Sequence, residues 1–177
     1  MTRTIITYGL ISGFAAIIGI LATILTSSTG HGSVWLGYLI MLVALSSILV
    51  AVKQYRDQRL GGVIRFQSAF LMGLGIAVVA SVAYVAGWEA YLAATGYRFM
   101  PDMVAETLAA KRAAGVTGAE YAKAAAEMAA MQTSYERPLY RWLMTSAEVF
   151  PVGLLVALVS AGLLRMPNFL PARSASA

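Results

Sequence analysis

Apolar positions fall into four long runs with almost no charge, separated by two short polar breaks and one long polar insertion. The runs are 5–25, 34–52, 66–94 and 139–164. About twenty helical residues at 1.5 Å each cover a ~30 Å hydrocarbon layer, so each run predicts a membrane-spanning helix. Within them, small residues recur at three- and four-residue steps: Gly9, Gly13, Ala16, Gly19 and Thr23 in the first, Gly73, Ala77, Ala80 and Ser81 in the third, and Gly153, Ala157 and Ala161 in the fourth. Small residues at that spacing let helix backbones approach closely in lipid, so each stripe is read as a packing face.

The breaks differ in kind. The first, 26–33, is rich in Ser, Thr and Gly and reads as a tight turn, with His31 inside it and the interfacial aromatics Trp35 and Tyr38 just after it. The second is the dense cluster Lys53-Gln54-Tyr55-Arg56-Asp57-Gln58-Arg59, closed by Gly61-Gly62, whose tolerance of turn dihedrals stops the helix. The insertion, 95–138, is too polar for lipid and predicts a helical hairpin. Pro101 and Asp102 suit its start, Gly115 after Lys111 and Arg112 suits a stop, and Thr117 with Glu120 reads as a capping box for the second helix. On that helix Tyr121, Ala125, Met128, Met131 and Tyr135 share one face. Residues 166–177 read as a flexible tail.

Composition agrees with the pattern. Of 177 residues 59% are hydrophobic and 12% charged, about half the charge of a soluble domain. The mean hydropathy is +0.73. A net charge of +5 invites a nucleic-acid reading, but the basic residues sit at the ends of apolar runs, where membrane orientation accounts for them. With no cysteine and a single histidine, disulfides, thiolate metal sites and a Ser-His-Asp triad are left without material. A cleaved signal peptide competes for the first run because Arg3 precedes it, but the run is long and no clear Ala-x-Ala site follows.

Charge then orients the bundle. Arg3, Lys53, Arg56, Arg59, Arg65, Arg165 and Arg173 fall on one side, opposed only by Asp57, while the insertion balances to zero. The positive-inside rule places both termini and the central cluster in the cytoplasm and the hairpin outside. The expectation is an all-α polytopic membrane protein, with four transmembrane helices and an extracytoplasmic hairpin between the third and fourth.

The run Lys53-Gln54-Tyr55-Arg56-Asp57, followed by Gly61-Gly62 and by Phe66, Ala69 and Gly73, resembles the central motif of the domain-of-unknown-function family 4199 (DUF4199). Tyr135 and Pro138, then Glu148, Pro151 and Gly153, continue the likeness over essentially the whole chain. The resemblance implies a small four-helix bacterial inner-membrane protein and hands over no catalytic or binding residue.

Candidate chemistry rests on a few polar residues. Glu148 lies inside the fourth span, where a carboxylate costs roughly 2.5–3.5 kcal/mol on insertion scales and usually faces a bundle interior or a water cavity. It suits a proton relay or a gated ion site, or a structural pairing within the bundle. Pro151, one turn on, removes an amide and should kink the helix beside it. Glu89 and Arg141 count to similar depths and suggest an ion pair, with a bridge from Arg141 to Glu148 as the alternative. Lys53, Gln54, Tyr55, Arg56, Asp57, Gly61 and Gly62 form a candidate cytoplasmic motif with three readings: a topology determinant, an anionic-lipid site, or a hairpin organised by Asp57 for a partner. Nothing resembles a P-loop, a dinucleotide fingerprint, a zinc site or a nucleophile motif, so no enzyme activity and no cofactor is expected. Two functions stay open. One is a structural or assembly bundle that packs on a further copy or another membrane protein. The other is a small transport or lipid-handling protein using Glu148 with Glu89 and Arg141. Membrane lipids are the expected surroundings in either case, and nucleic acid is not a partner.

Overall fold

The computed structural model describes residues 1–26, 34–166 and 168–171. These are helical, without a strand, in seven segments: α1 (Thr2–Thr26), α2 (Val34–Leu45), α3 (Ser47–Arg59), α4 (Phe66–Ala94), α5 (Phe99–Ala113), α6 (Gly118–Tyr135) and α7 (Pro138–Leu164). α2 and α3 meet at Ser46 and continue as one rod, so the segments make six helices. Four of these are long and apolar enough to cross a membrane: α1, the α2–α3 rod, α4 and α7. The second rod runs on beyond Val52 to Arg59, so the Lys53–Arg59 cluster is its last two turns. The expected turn at 26–33 with His31, and Arg173 in the tail, lie outside the described residues.

The break at Ser46 has a local cause. Its amide is shared between the carbonyls of Leu42 (2.9 Å) and Val43 (3.3 Å), and its hydroxyl donates to the Val43 carbonyl at 2.6 Å. Side-chain competition of this kind bends helices at serine pairs. The next residue, Ser47, is hydrogen-bonded through its hydroxyl to that of Ser12 on α1, and Ser12 in turn donates to the Tyr8 carbonyl at 2.7 Å. These contacts satisfy a polar pair in the apolar interior.

α4 is the centre of the bundle, packed along α1 on one side and α7 on the other. The small-residue stripes make both contacts. A Cβ placed on Gly13 of α1 would lie 2.5 Å from the Ala80 carbonyl oxygen, and one on Gly73 would lie 2.9 Å from the Ala157 Cβ of α7. Gly153 meets Ala77 in the same way, at 2.8 Å. The glycines are therefore the contact surface itself, as close packing in lipid requires. Large apolar side chains turn outward instead: Ile11, Phe14, Ile18, Val43, Val82, Leu155 and Val159 are all exposed. So much uncovered apolar surface suits a lipid surround and not water.

α5 and α6 pack on each other, with the Arg112 guanidinium 4.7 Å from the centre of the Tyr121 ring. Gly115, left-handed at φ +85°, stops α5, and the Val116 amide returns to the Lys111 carbonyl at 3.0 Å in the usual glycine-terminated ending. The capping box is not formed. Thr117 makes no side-chain cap bond, because Gly118 enters α6 left-handed at φ +60°, away from the geometry that brings a cap hydroxyl to the third amide. Pro151 lies inside α7, which is helical without interruption from Pro138 to Leu164.

Candidate functional site

Three polar groupings interrupt the apolar bundle. The first closes the end that carries Lys53–Arg59. Arg56 is 1% exposed, a burial that an arginine tolerates only when its five donors are met. Its Nε donates to Asp57 Oδ1 at 2.7 Å. Its terminal nitrogens reach past α7 to the carbonyls of Leu164, Phe169 at 3.1 Å and Leu170. Asp57 also accepts from Lys53 Nζ at 2.5 Å, and the Gln54 side chain accepts from the Tyr8 hydroxyl at 2.7 Å. Gly61 and Gly62, at φ +66° and +91°, then turn the chain, and the Arg56 carbonyl takes the amides of Leu60 and Gly62, both at 3.1 Å. This cluster fastens the C-terminal segment. Within the segment expected as a flexible tail from residue 166, Phe169 packs on the core and its carbonyl accepts from Arg56. Residues 172–177 lie outside the described residues.

The second grouping joins the start of α7 to the far end of α4. Arg141, 4% exposed, makes a two-point contact with Glu89: Nε to Oε1 at 2.5 Å and Nη2 to Oε2 at 2.9 Å. Its remaining terminal nitrogen donates to the Tyr135 carbonyl at 3.0 Å. The guanidinium lies 5.1 Å from the centre of the Tyr97 ring and 5.8 Å from that of Tyr135. All three guanidinium nitrogens of Arg141 are thus engaged, and it ties α4, the end of α6 and α7 together. It does not bridge to Glu148, and the expected trio of Glu148, Arg141 and Glu89 divides into a closed pair and a separate carboxylate.

That carboxylate opens into the third grouping, a cavity of about 390 Å³ bounded by α1, α2, α4 and α7 and closed over by α5 and α6. Glu148 and Tyr84 enter it from the same depth, each ten residues (~15 Å) from the end of its helix that meets α5–α6. Five of the nine methionines line it: Met41, Met100, Met103, Met131 and Met144. Methionine walls are soft and reshape around an occupant. Tyr84 and Thr145, 2% and 5% exposed, face the same space, and Thr145 stands one turn before Glu148 on the same face of α7. Among the described residues, neither hydroxyl nor the Glu148 carboxylate has a hydrogen bond or ion pair. Tyr135 links this cavity to the Arg141 pair: its ring lines the space, its carbonyl serves Arg141, and its hydroxyl accepts from Trp88 Nε1 at 2.8 Å. Burial pushes the Tyr135 phenol above the usual tyrosine range, so it keeps its proton and can donate into the cavity. Trp88 is set further by an edge-on contact with Phe99 at 4.9 Å.

Sequence reasoning named Glu148, and Met131 with Tyr135 as one face of α6, but not Tyr84, Thr145 or the methionines of α2, α5 and α7. Their spacing along the chain carries no common signal. The one available hint was a tyrosine and a threonine at polar-tolerant positions inside spans otherwise built of aliphatic residues. Among the described residues no group of three or more His, Asp or Glu is gathered for a metal.

No curated protein and no solved structure matches the chain. A family model does match, over residues 7–166: that of the protein family of unknown function DUF4199. The match takes in both polar ends of the bundle, the cavity and nearly the whole chain, which belongs to the DUF4199 family.

Proposed function

We propose that this chain is a polytopic protein of the bacterial inner membrane that binds a lipid-like amphiphile in the cavity beneath α5–α6. Both termini and the Lys53–Arg65 cluster lie on the cytoplasmic side in this reading, and α5–α6 lies outside. The observation that carries it is the unpaired Glu148 in a methionine-lined cavity. Glu148 lines the cavity with its side chain exposed, and a structural carboxylate inside a span would be paired, as Glu89 is, because an unpaired charge in hydrocarbon is costly. A volume of about 390 Å³ lies within the range of small-molecule sites, which combine apolar walls with a few convergent polar groups. Tyr38 and Met144 line the cavity and are exposed on the bundle's outer surface, giving an entrance between α2 and α7 from the surrounding lipid. The assembly reading has less support, because the glycine faces it would use are already packed within the chain.

The test is native mass spectrometry of the chain purified from its membrane in mild detergent. One amphiphile should be retained per chain, and Met131→Trp, which fills the cavity from α6, should lose it while the helical signal and unfolding midpoint stay near wild type. A wild-type chain that carries no amphiphile, and that crosslinks in the membrane to a protein partner, returns the argument to assembly.

A further inference from the structure

We infer that the bound amphiphile has a soft organic cation as its head, an amine or quaternary ammonium on an alkyl chain, held between the Glu148 carboxylate and the rings of Tyr84, Trp88 and Tyr135. This rests on the reading of the cavity as an amphiphile site and specifies its ligand.

Charge balance is the first argument. The nearest basic side chain on the same helix, Arg141, is committed to both oxygens of Glu89 and to the Tyr135 carbonyl. No cation of the described chain pairs with Glu148, so its ionised form is matched by a ligand that brings its own positive charge. An anionic head would be repelled, and a neutral head would leave the carboxylate uncompensated.

The donor set is the second. A bare divalent ion needs several hard oxygen ligands, and one carboxylate among methionines and aromatic rings does not supply them. An alkylammonium is weakly hydrated and needs only one counter-charge and ring faces. Tryptophan and tyrosine faces attract such cations, most strongly where water is excluded. Trp88 lines the cavity with its N–H taken up by the Tyr135 hydroxyl and its ring packed against Tyr91 and Phe99.

The third is a pair of hydroxyls. Tyr84 and Thr145 line the cavity without partners among the described residues, and a hydroxyl oxygen open to the cavity can accept from the N–H groups of a protonated amine. The methionines from α2, α5, α6 and α7 then take the alkyl chain.

Three probes with one chain length separate the possibilities: dodecyltrimethylammonium, dodecanol and dodecanoate. Each is titrated into the full-length protein in nanodiscs, read by Trp88 fluorescence with Trp35 and Trp142 replaced by phenylalanine, and corrected for uptake by empty discs. The cation should bind at least about tenfold more tightly than the alcohol, as a ring-and-carboxylate site implies, and the carboxylate probe more weakly than either. Glu148→Gln should bring cation and alcohol to within about twofold while the alcohol's own affinity is kept. Equal binding of cation and alcohol by the wild type, or a cation preference that survives Glu148→Gln, overturns the inference and leaves the amphiphile site standing. Failure of all three probes, with no amphiphile retained on purification, removes both.

Discussion

Arg141 and Glu148 stand two turns apart on α7 in opposite situations: one has all three guanidinium nitrogens engaged, the other has no partner among the described residues. The difference predicts opposite mutational behaviour. Arg141→Ala removes a two-point ion pair and a carbonyl bond and strands Glu89, whose side chain is about a quarter exposed. The expected loss is about 2–3 kcal/mol, below the full cost of orphaning a buried charge because water still reaches the carboxylate. Arg141→Lys keeps the charge but not the fork, so it should recover only part of this. Denaturant unfolding in detergent measures both, and an Arg141→Ala chain as stable as wild type would remove the role of this pair as the tie between α4 and α7. Glu148→Gln should leave the unfolding midpoint unchanged or raise it, since it removes a charge that nothing in the fold compensates. Arg56 resembles Arg141 in its burial, and its partners explain why Asp57 stands in an otherwise basic cluster: the carboxylate balances Lys53 and Arg56 together.

At the scale of elements, contacts between helices are made where side chains are absent. Gly13 and Gly162 are both helical glycines, but only Gly13 has backbone against it. Gly13→Ala should therefore push α1 off α4 and cost about 1–3 kcal/mol. Gly162→Ala, with nothing within 4 Å of its added Cβ, should gain up to about 1 kcal/mol from helix propensity and chain entropy. Opposite shifts of the unfolding midpoint are the expected result, and equal shifts would contradict the close-packing account. The glycine stripes were legible in the sequence because a residue at a lipid-buried contact has to be small whichever helix it meets. The helices themselves were legible because a backbone in hydrocarbon has to satisfy its own hydrogen bonds, which leaves long apolar windows few alternatives. What the pattern did not hold was pairing at a distance. Arg56 reaches carbonyls more than a hundred residues on, and the cavity exists only because the ends of α1, α2, α4 and α7 are held apart under α5–α6. The capping box failed at a single glycine dihedral, which residue type permits but does not require.

For the whole molecule, the decisive quantity is which end of the bundle faces the cytoplasm, because it determines from which side the cavity is filled. Basic residues gather at the Lys53–Arg65 end, and the 95–138 insertion that holds α5–α6 carries equal numbers of acids and bases. Short basic loops resist translocation while balanced segments cross, so α5–α6 should lie outside and the cavity in the outer half of the membrane. The chain has no cysteine, which makes the test direct. Ala114→Cys in the turn between α5 and α6 and Val63→Cys in the turn before α4 are both at exposed positions. A membrane-impermeant maleimide applied to intact spheroplasts should label the first and not the second, and permeabilised spheroplasts should label both. The reverse pattern would turn the molecule over and place Glu148 in reach of the inner half of the bilayer. The amphiphile would then have to come from the cytoplasmic leaflet, and the entrance beside Tyr38 and Met144 would open toward the anionic face of the membrane, whose lipids an unpaired carboxylate repels. With α5–α6 outside, the same entrance meets the outer leaflet, and the amphiphile reaches Glu148 from that side.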